Sequence, residues 1–181
     1  MIIVEKFYTG IGSRETPKTP SLLFFLIGKT LAKCGFTLRS GHAVGADKAF
    51  EDGCDSSRGK KEIWLPWKGF NGSDSNFIVS DKKAFDLAEN FHPNWNKLSI
   101  GAKKLHARNT HQILGEDLLT QSEFIICWTK DGKGSGGTGQ ALRIGKAYNI
   151  PILDLGIYNE KDIDTMQIAI RDFINKFIEI K

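Results

Sequence analysis

The chemistry this sequence offers is that of backbone N–H groups and guanidinium forks aimed at an anion. Three glycine-rich stretches each follow a strand-like run and precede a helix-like one. They are Thr9-Gly10-Ile11-Gly12-Ser13-Arg14, Ser40-Gly41-His42-Ala43-Val44-Gly45-Ala46-Asp47 and Gly132-Lys133-Gly134-Ser135-Gly136-Gly137-Thr138-Gly139. Such turns leave free N–H groups at a helix N-terminus, where the peptide dipoles favour negative charge. Glycine lets a phosphate or a sugar approach the main chain closely. Arg14, Arg108 and Arg143 fall on these loops or on helices entering the same edge. A guanidinium matches phosphate oxygens in a bidentate fork. Ser13, Ser40 and Thr138 add hydroxyls that either donate to a ligand or cap the following helices.

Cleavage of an N-glycosidic bond would also need a carboxylate, to stabilise an oxocarbenium-like centre or to activate water. Glu15, Asp47 and Glu51 are the acids nearest the glycine loops. Asp47 and Glu51 are four residues apart and share one helix face. Asp47 reads equally as a helix cap or a ribose ligand, and Glu51 as a solvated helix residue. Asn109 follows Arg108, and His42 is the histidine nearest the expected ligand. Trp128 ends one strand-like run, and Trp64, Trp67 and Phe70 follow another. These rings either stack on a base or pack the core. His106 and His111 are too ill-spaced to share a helical metal site, and Cys34, Cys54 and Cys127 lack zinc spacing. No metal and no cofactor is expected.

Elements that would position these groups alternate along the chain. Strands are expected at Ile2–Tyr8, Phe36–Arg39, Glu62–Leu65, Glu123–Trp128 and Ile150–Leu155. Helices are expected at Ser21–Cys34, Ala46–Ser56, Lys82–Asn90, Lys97–Leu119, Gly139–Tyr148 and Asp162–Ile178. Alternation of this kind predicts a single α/β domain over residues 1–181, a mostly parallel sheet with helices on both faces. Ligands of such Rossmann-like sheets sit outside the carboxyl ends of the strands. Residues 68–96 have weak periodicity and read as an insertion or lid.

Composition narrows the function classes. With 40% hydrophobic residues and twelve Phe, the 181-residue chain is not intrinsically disordered. No apolar run reaches the roughly 18 residues of a membrane span, and no secretory signal is evident, so a cytoplasmic protein with reduced thiols is expected. A net charge of +4 permits a polyanionic partner without demanding one. Gly10-x-Gly12 lacks the third glycine and the downstream acid of a dinucleotide fingerprint. A GxxxxGK[ST] phosphate loop is also missing, so NAD binding and P-loop ATP hydrolysis are both disfavoured.

Taken together, the loops resemble those of the SLOG superfamily (SMF/DprA–LOG) of Rossmann-like nucleotide-binding domains. Gly12-Ser13-Arg14 resembles the GSR after the first strand of the DNA-processing protein A family. Ser40-Gly41-x-Ala43-x-Gly45-Ala46-Asp47 is similar to that family's SGxAxGID, and Gly137-Thr138 through Arg143 to its third loop. Leu105-His106-Ala107-Arg108-Asn109 is similar to the MHxRK of the LOG family, the cytokinin-activating phosphoribohydrolases. Gly136-Gly137-Thr138-Gly139 resembles the same family's PGGxGTxxE loop. The glutamate of that last motif falls on Arg143, which removes the expected catalytic acid, and the lysine of MHxRK is Asn109. Nor does the chain leave room for the small C-terminal domain of many DNA-processing proteins.

The resemblance implies a nucleotide-like ligand held by Gly12, Ser13, Arg14, Ser40, Gly41, His42, Gly45, Arg108, Asn109, Trp128, Gly136, Gly137, Thr138, Gly139 and Arg143. Three functions remain open: binding a nucleotide or nucleotide-derived ligand, hydrolysing its N-glycosidic bond through Glu15, Asp47 or Glu51, and binding single-stranded DNA. Relatives often pair through helices beside the site, so a homodimer or larger homo-oligomer is expected.

Overall fold

Strands β1 (Lys6–Gly12), β2 (Phe36–Ser40) and β4 (Phe124–Trp128) are short apolar runs with little exposed surface, as parallel strands covered on both faces must be. They appear in a computed structural model that describes residues 5–178. Two shorter strands, β3 (Lys61–Ile63) and β5 (Ile152–Asp154), complete a sheet of order β3-β2-β1-β4-β5, parallel throughout. Side chains alternate across it. Tyr8, Phe124 and Ile126 face a core with α1 (Lys18–Lys33), α2 (Ala46–Ser56) and α6 (Ile163–Ile174). Ile11, Ile125 and Cys127 face the other core, with α4 (Ile100–Leu114) and α5 (Gly136–Ala147). The remaining helix, α3 (Lys82–Asn90), packs Ala84 and Ala88 with Val79, Trp95 and Ala107 in a satellite cluster. Residues 68–96 thus carry their own small core, joined to α4.

The chain builds outward from β1 to β3, then returns to the other side of β1 for β4 and β5. This reversal creates the crevice between β1 and β4 that α/β sheets use for ligands.

Several boundaries differ from the sequence expectation. The first strand lies at Lys6–Gly12, and the expected Ile2–Val4 portion lies outside the described residues. Gly10 and Gly12 therefore belong to the strand, not to a loop after it. The reason is packing. A Cβ on Gly10 would enter the Phe50 ring, 2.6 Å from its Cγ, and one on Gly12 would come 2.6 Å from the Ala46 Cβ. These glycines let α2 lie flat on the sheet. The long helix stops at Leu114, because Gly115 takes a left-handed φ of 80°. The polar residues after it continue a helical pattern in sequence but not in space. In α6 the helix ends at Ile174, short of the expected Ile178.

Phe50 joins the two layers. It is fully buried, stacks on Phe24 at 4.3 Å between ring centroids, and meets Tyr8 edge-on. Phe50→Ala should lower unfolding free energy by about 3–5 kcal/mol, the usual cost of emptying a buried aromatic site. Urea denaturation checks this; a loss below about 1 kcal/mol would contradict the packing role.

Candidate functional site

A cleft of about 520 Å³ opens where β1 and β4 end. One wall is the run Ile11–Glu15 with Ala43 and Asp47. The floor toward α5 is Ser135–Thr138 with Lys130. The facing wall is α4, which contributes Ala102, Leu105, His106, Arg108, Asn109 and Gln112. The α4 residues recur at helical spacing, so one face of the helix runs along the cleft. Phe70, from the segment after β3, closes one side.

Helix ends around the sheet fall into two groups. Asp81, Ser99 and Asp162 cap α3, α4 and α6 through their own side chains. By contrast, α1, α2 and α5 start after the carboxyl ends of β1, β2 and β4, and no side chain caps them. At α2 the protein itself supplies the partner: the Ala46 N–H donates to the Ser13 carbonyl at 3.4 Å. At α5, Ser135, Gly136 and Gly137 are exposed. Nothing lies within 4 Å of the place a Cβ would take on Gly136 or Gly137. The open N-terminus of α5 shares the cleft with Lys130 and Arg14, and a helix start of this kind favours negative charge.

Arg108 is 7% exposed. Its Nη1 donates to the carbonyls of Gly41 (2.6 Å) and Trp64 (3.3 Å), and its Nε to Asn109 Oδ1 (3.1 Å). A Cβ on Gly41 would occupy the guanidinium's place. Gly41 is thus glycine for Arg108 rather than for a phosphate. Burial lowers the Arg108 pKa, and the nearby Asp47 opposes that. Asn109 in turn donates to the Gly137 carbonyl (3.2 Å) and to Gln140 Oε1 (3.0 Å), tying α4 to the start of α5.

Asp47 is 3% exposed and accepts from the Gly12 N–H at 3.1 Å. Burial raises its pKa to about 6, against the pull of Arg108 and of the backbone N–H groups of Gly12, Ala43 and Gly41. His106 shifts the other way. Burial, with His92 beside it at 4.4 Å between ring centroids, lowers its pKa to about 4.

Of the residues singled out in sequence, Gly12, Ser13, Arg14, Glu15, Asp47, Arg108, Asn109, Gly136, Gly137 and Thr138 line the cleft. Others have different surroundings. Ser40 is buried and donates to the Gly10 carbonyl at 2.6 Å. His42 pairs with Glu51 at 2.5 Å, and Glu51 also binds Lys61 at 2.8 Å, away from the cleft wall. Gly45, φ 87°, starts α2 against the Ser13 carbonyl. Trp128 packs on the core and its carbonyl accepts from the Ser13 N–H at 3.1 Å. Gly139 is buried against Gly134, and the exposed Arg143 donates to the Phe91 carbonyl at 2.8 Å. Phe70, one of the rings weighed for base stacking, also lines the cleft, and Gln112, His106 and Lys130 line it without having been singled out as ligand contacts. For Gln112 the signal was present: it lies four residues past Arg108, on the same helix face.

No protein family and no curated protein sequence matches the chain. Solved structures do. DNA processing protein A from Helicobacter pylori, described by its single-stranded DNA binding, is 18% identical with a TM-score of 0.55, covering 91% of this chain and 81% of its own. The molybdenum cofactor carrier protein of Chlamydomonas reinhardtii is 14% identical with a TM-score of 0.50, covering 84% and 78%. The chain shares their Rossmann-like α/β fold.

The two shifted groups give opposite pH dependences. Asp47 has a folded pKa above its ordinary 3.8, so the folded chain holds more protons and this contribution to stability falls as pH rises from about 4 to about 6. The folded pKa of His106 lies below its ordinary 6.5, so its contribution rises with pH between about 4 and 6.5. Asp47→Asn removes the first and keeps the second. Relative to the parent, this variant should gain stability between pH 4 and pH 7 in urea titrations. A difference independent of pH would refute the burial argument.

Proposed function

We propose that the cleft binds a nucleotide or nucleotide-derived ligand, with its phosphate at the N-terminus of α5 and its base toward Phe70 and α4. The observation that carries this reading is the uncapped, open start of α5 at Gly136 and Gly137, in a cleft that Lys130 and Arg14 also line. Uncompensated N–H groups and two cations suit a phosphate. A cleft of about 520 Å³ falls in the range of small-molecule sites. Apolar surface from Phe70, Ala102 and Leu105 suits the face of a base. The fold neighbours, one binding single-stranded DNA and one carrying the molybdenum cofactor, support a ligand-binding role.

A second reading, hydrolysis of a nucleotide's N-glycosidic bond, is favoured by one observation. Asp47 is a buried acid on the cleft wall whose pKa of about 6 approaches that of a general acid or base at neutral pH. Chromatography of free base from a nucleotide panel, lost in Asp47→Asn, distinguishes hydrolysis from binding. Binding of single-stranded DNA at the same edge would weaken steeply with salt.

Calorimetry with nucleoside monophosphates tests the phosphate placement. In the Gly137→Glu variant a carboxylate would replace open space at the start of α5. Affinity should fall about tenfold or more through like-charge repulsion, with thermal stability nearly unchanged. Unaltered affinity would move the phosphate elsewhere.

A further inference from the structure

The turn that leads into α5 is held by a carboxylate that does not reach the cleft. Asp154 ends β5 and is not among the residues that line the cleft. Its Oδ1 accepts from the N–H groups of Thr129 and Gly156, each at 2.9 Å. Its Oδ2 accepts from the Thr129 hydroxyl. That hydroxyl in turn accepts from the Gly134 N–H at 3.0 Å. A hydroxyl gives one hydrogen and has lone pairs to receive others, so the relay runs in one direction. It passes from the Gly134 N–H to Thr129 Oγ1, and from the Thr129 O–H to Asp154. The bond to Gly156 is a local cap, whereas those to Thr129 span 25 residues of chain. Thr129 is buried, and a buried polar group needs its partners from the protein.

This relay fixes both ends of the turn. Thr129 immediately precedes Lys130, and Gly134 precedes Ser135 and the α5 glycines. The Gly134 carbonyl lies against the first turn of α5, since a Cβ on Gly139 would come 1.7 Å from its oxygen. Moving Gly134 therefore moves the helix start. At the other end, a Cβ on Gly156 would come 1.8 Å from the Thr129 carbonyl oxygen, so the residues after β5 lie directly under the turn. One carboxylate thus sets how the backbone at Lys130 stands to the uncapped first turn of α5.

Resting on the phosphate placement above, we propose that Asp154 is a positioning residue for the anion site and acts through the Thr129 hydroxyl. The sign of its effect separates positioning from electrostatics. By charge alone a carboxylate near an anion site repels the anion, so neutralising it would tighten a phosphate. Positioning has the opposite consequence. In Asp154→Asn an amide donor takes the place of the acceptor that the Thr129 hydroxyl needs, the turn is released, and the phosphate binds more weakly.

Calorimetry with nucleoside monophosphates and with inorganic phosphate tests this, beside amide hydrogen exchange of the ligand-free protein. Asp154→Asn and Thr129→Val should each weaken the anion that the parent binds by about fivefold or more. Each should also speed exchange of the Gly134 N–H by about tenfold. Thr129→Ser keeps the hydroxyl and should match the parent in both. The two changes break one relay, so the double variant should lose no more affinity than the weaker single one, whereas independent structural damage would add. Tighter binding in Asp154→Asn, additive losses, or an undiminished Gly134 protection in Thr129→Val would overturn the proposal. Parent-like affinity despite faster exchange would overturn it too. If the parent binds neither nucleotides nor phosphate, the phosphate placement itself falls and takes this inference with it, even where exchange shows the relay to be intact.

Discussion

Arg108 is an ion taken almost out of water, and the groups that compensate it decide where α4 can lie. Its guanidinium spans two carbonyls, Gly41 at the end of β2 and Trp64 just past β3. These oxygens point outward because the strands end there, and parallel strands leave their last carbonyls unpaired along one edge. Through Arg108 they acquire a partner, and α4 acquires a fixed depth and rotation. Removing the guanidinium would strand both carbonyls and free the helix. Asp47 adds to these hydrogen bonds a nearby negative charge that opposes the effect of burial on Arg108. One cation, one carboxylate and one glycine thus set the distance between the sheet edge and the facing wall. The cleft is the space that distance leaves.

A second constraint divides the helices by how they start. Three of them satisfy first-turn N–H groups with their own side chains, as Asp81 does for α3 and Ser99 for α4. Asp81 further accepts from the buried His111, which stacks on Trp64. This knot fixes the segment after β3 to α4. The helices that follow β1, β2 and β4, namely α1, α2 and α5, have no such cap. For α2 the loop from β1 folds over the helix start, and the Ser13 carbonyl takes the Ala46 N–H. For α5 no such cover exists. Its preceding turn is instead held from below: Asp154 at the end of β5 accepts from the Thr129 N–H, and the Thr129 hydroxyl accepts from the Gly134 N–H. The loop is thus positioned by its base while its tip stays open.

Much of the fold was legible in sequence. The continuous apolar run Phe124–Cys127, buried throughout, and the helical spacing of α2 and α3 are local patterns, and local patterns survive folding. Boundaries set by distant neighbours were not legible. Gly10 and Gly12 read as loop residues because glycine in isolation favours turns, whereas here Phe50 and Ala46 need the space. Asp47, Arg108, Asn109 and the α5 glycines were legible as site candidates by residue type and position. The pairing of His42 and Glu51 with each other and with Lys61 was not, because nothing in their spacing shows that β3 brings a lysine beside them. Phe70 reaches the cleft from a segment with no clear periodicity, its turn tied down by the Asn71 amide donating to the His42 carbonyl at 3.1 Å.

Glycine therefore has two meanings in this chain, separated by what a side chain would meet. At Gly10, Gly12, Gly41 and Gly139 a Cβ would collide with protein, so those positions serve close packing. At Gly136 and Gly137 it would meet open space at a helix start. Packing does not require glycine at Gly137, and a side chain there would cover the N–H groups an anion would use. The same division maps onto electrostatics. Beside Gly41 the buried Arg108 and Asp47 oppose each other in charge. Near Gly137 the uncapped helix start faces a cleft lined by Arg14, Lys130 and Glu15. The proposed ligand would carry its charge at the Gly137 extremity of the cleft and reach from there toward α4. Its apolar face would lie against Phe70 and Leu105.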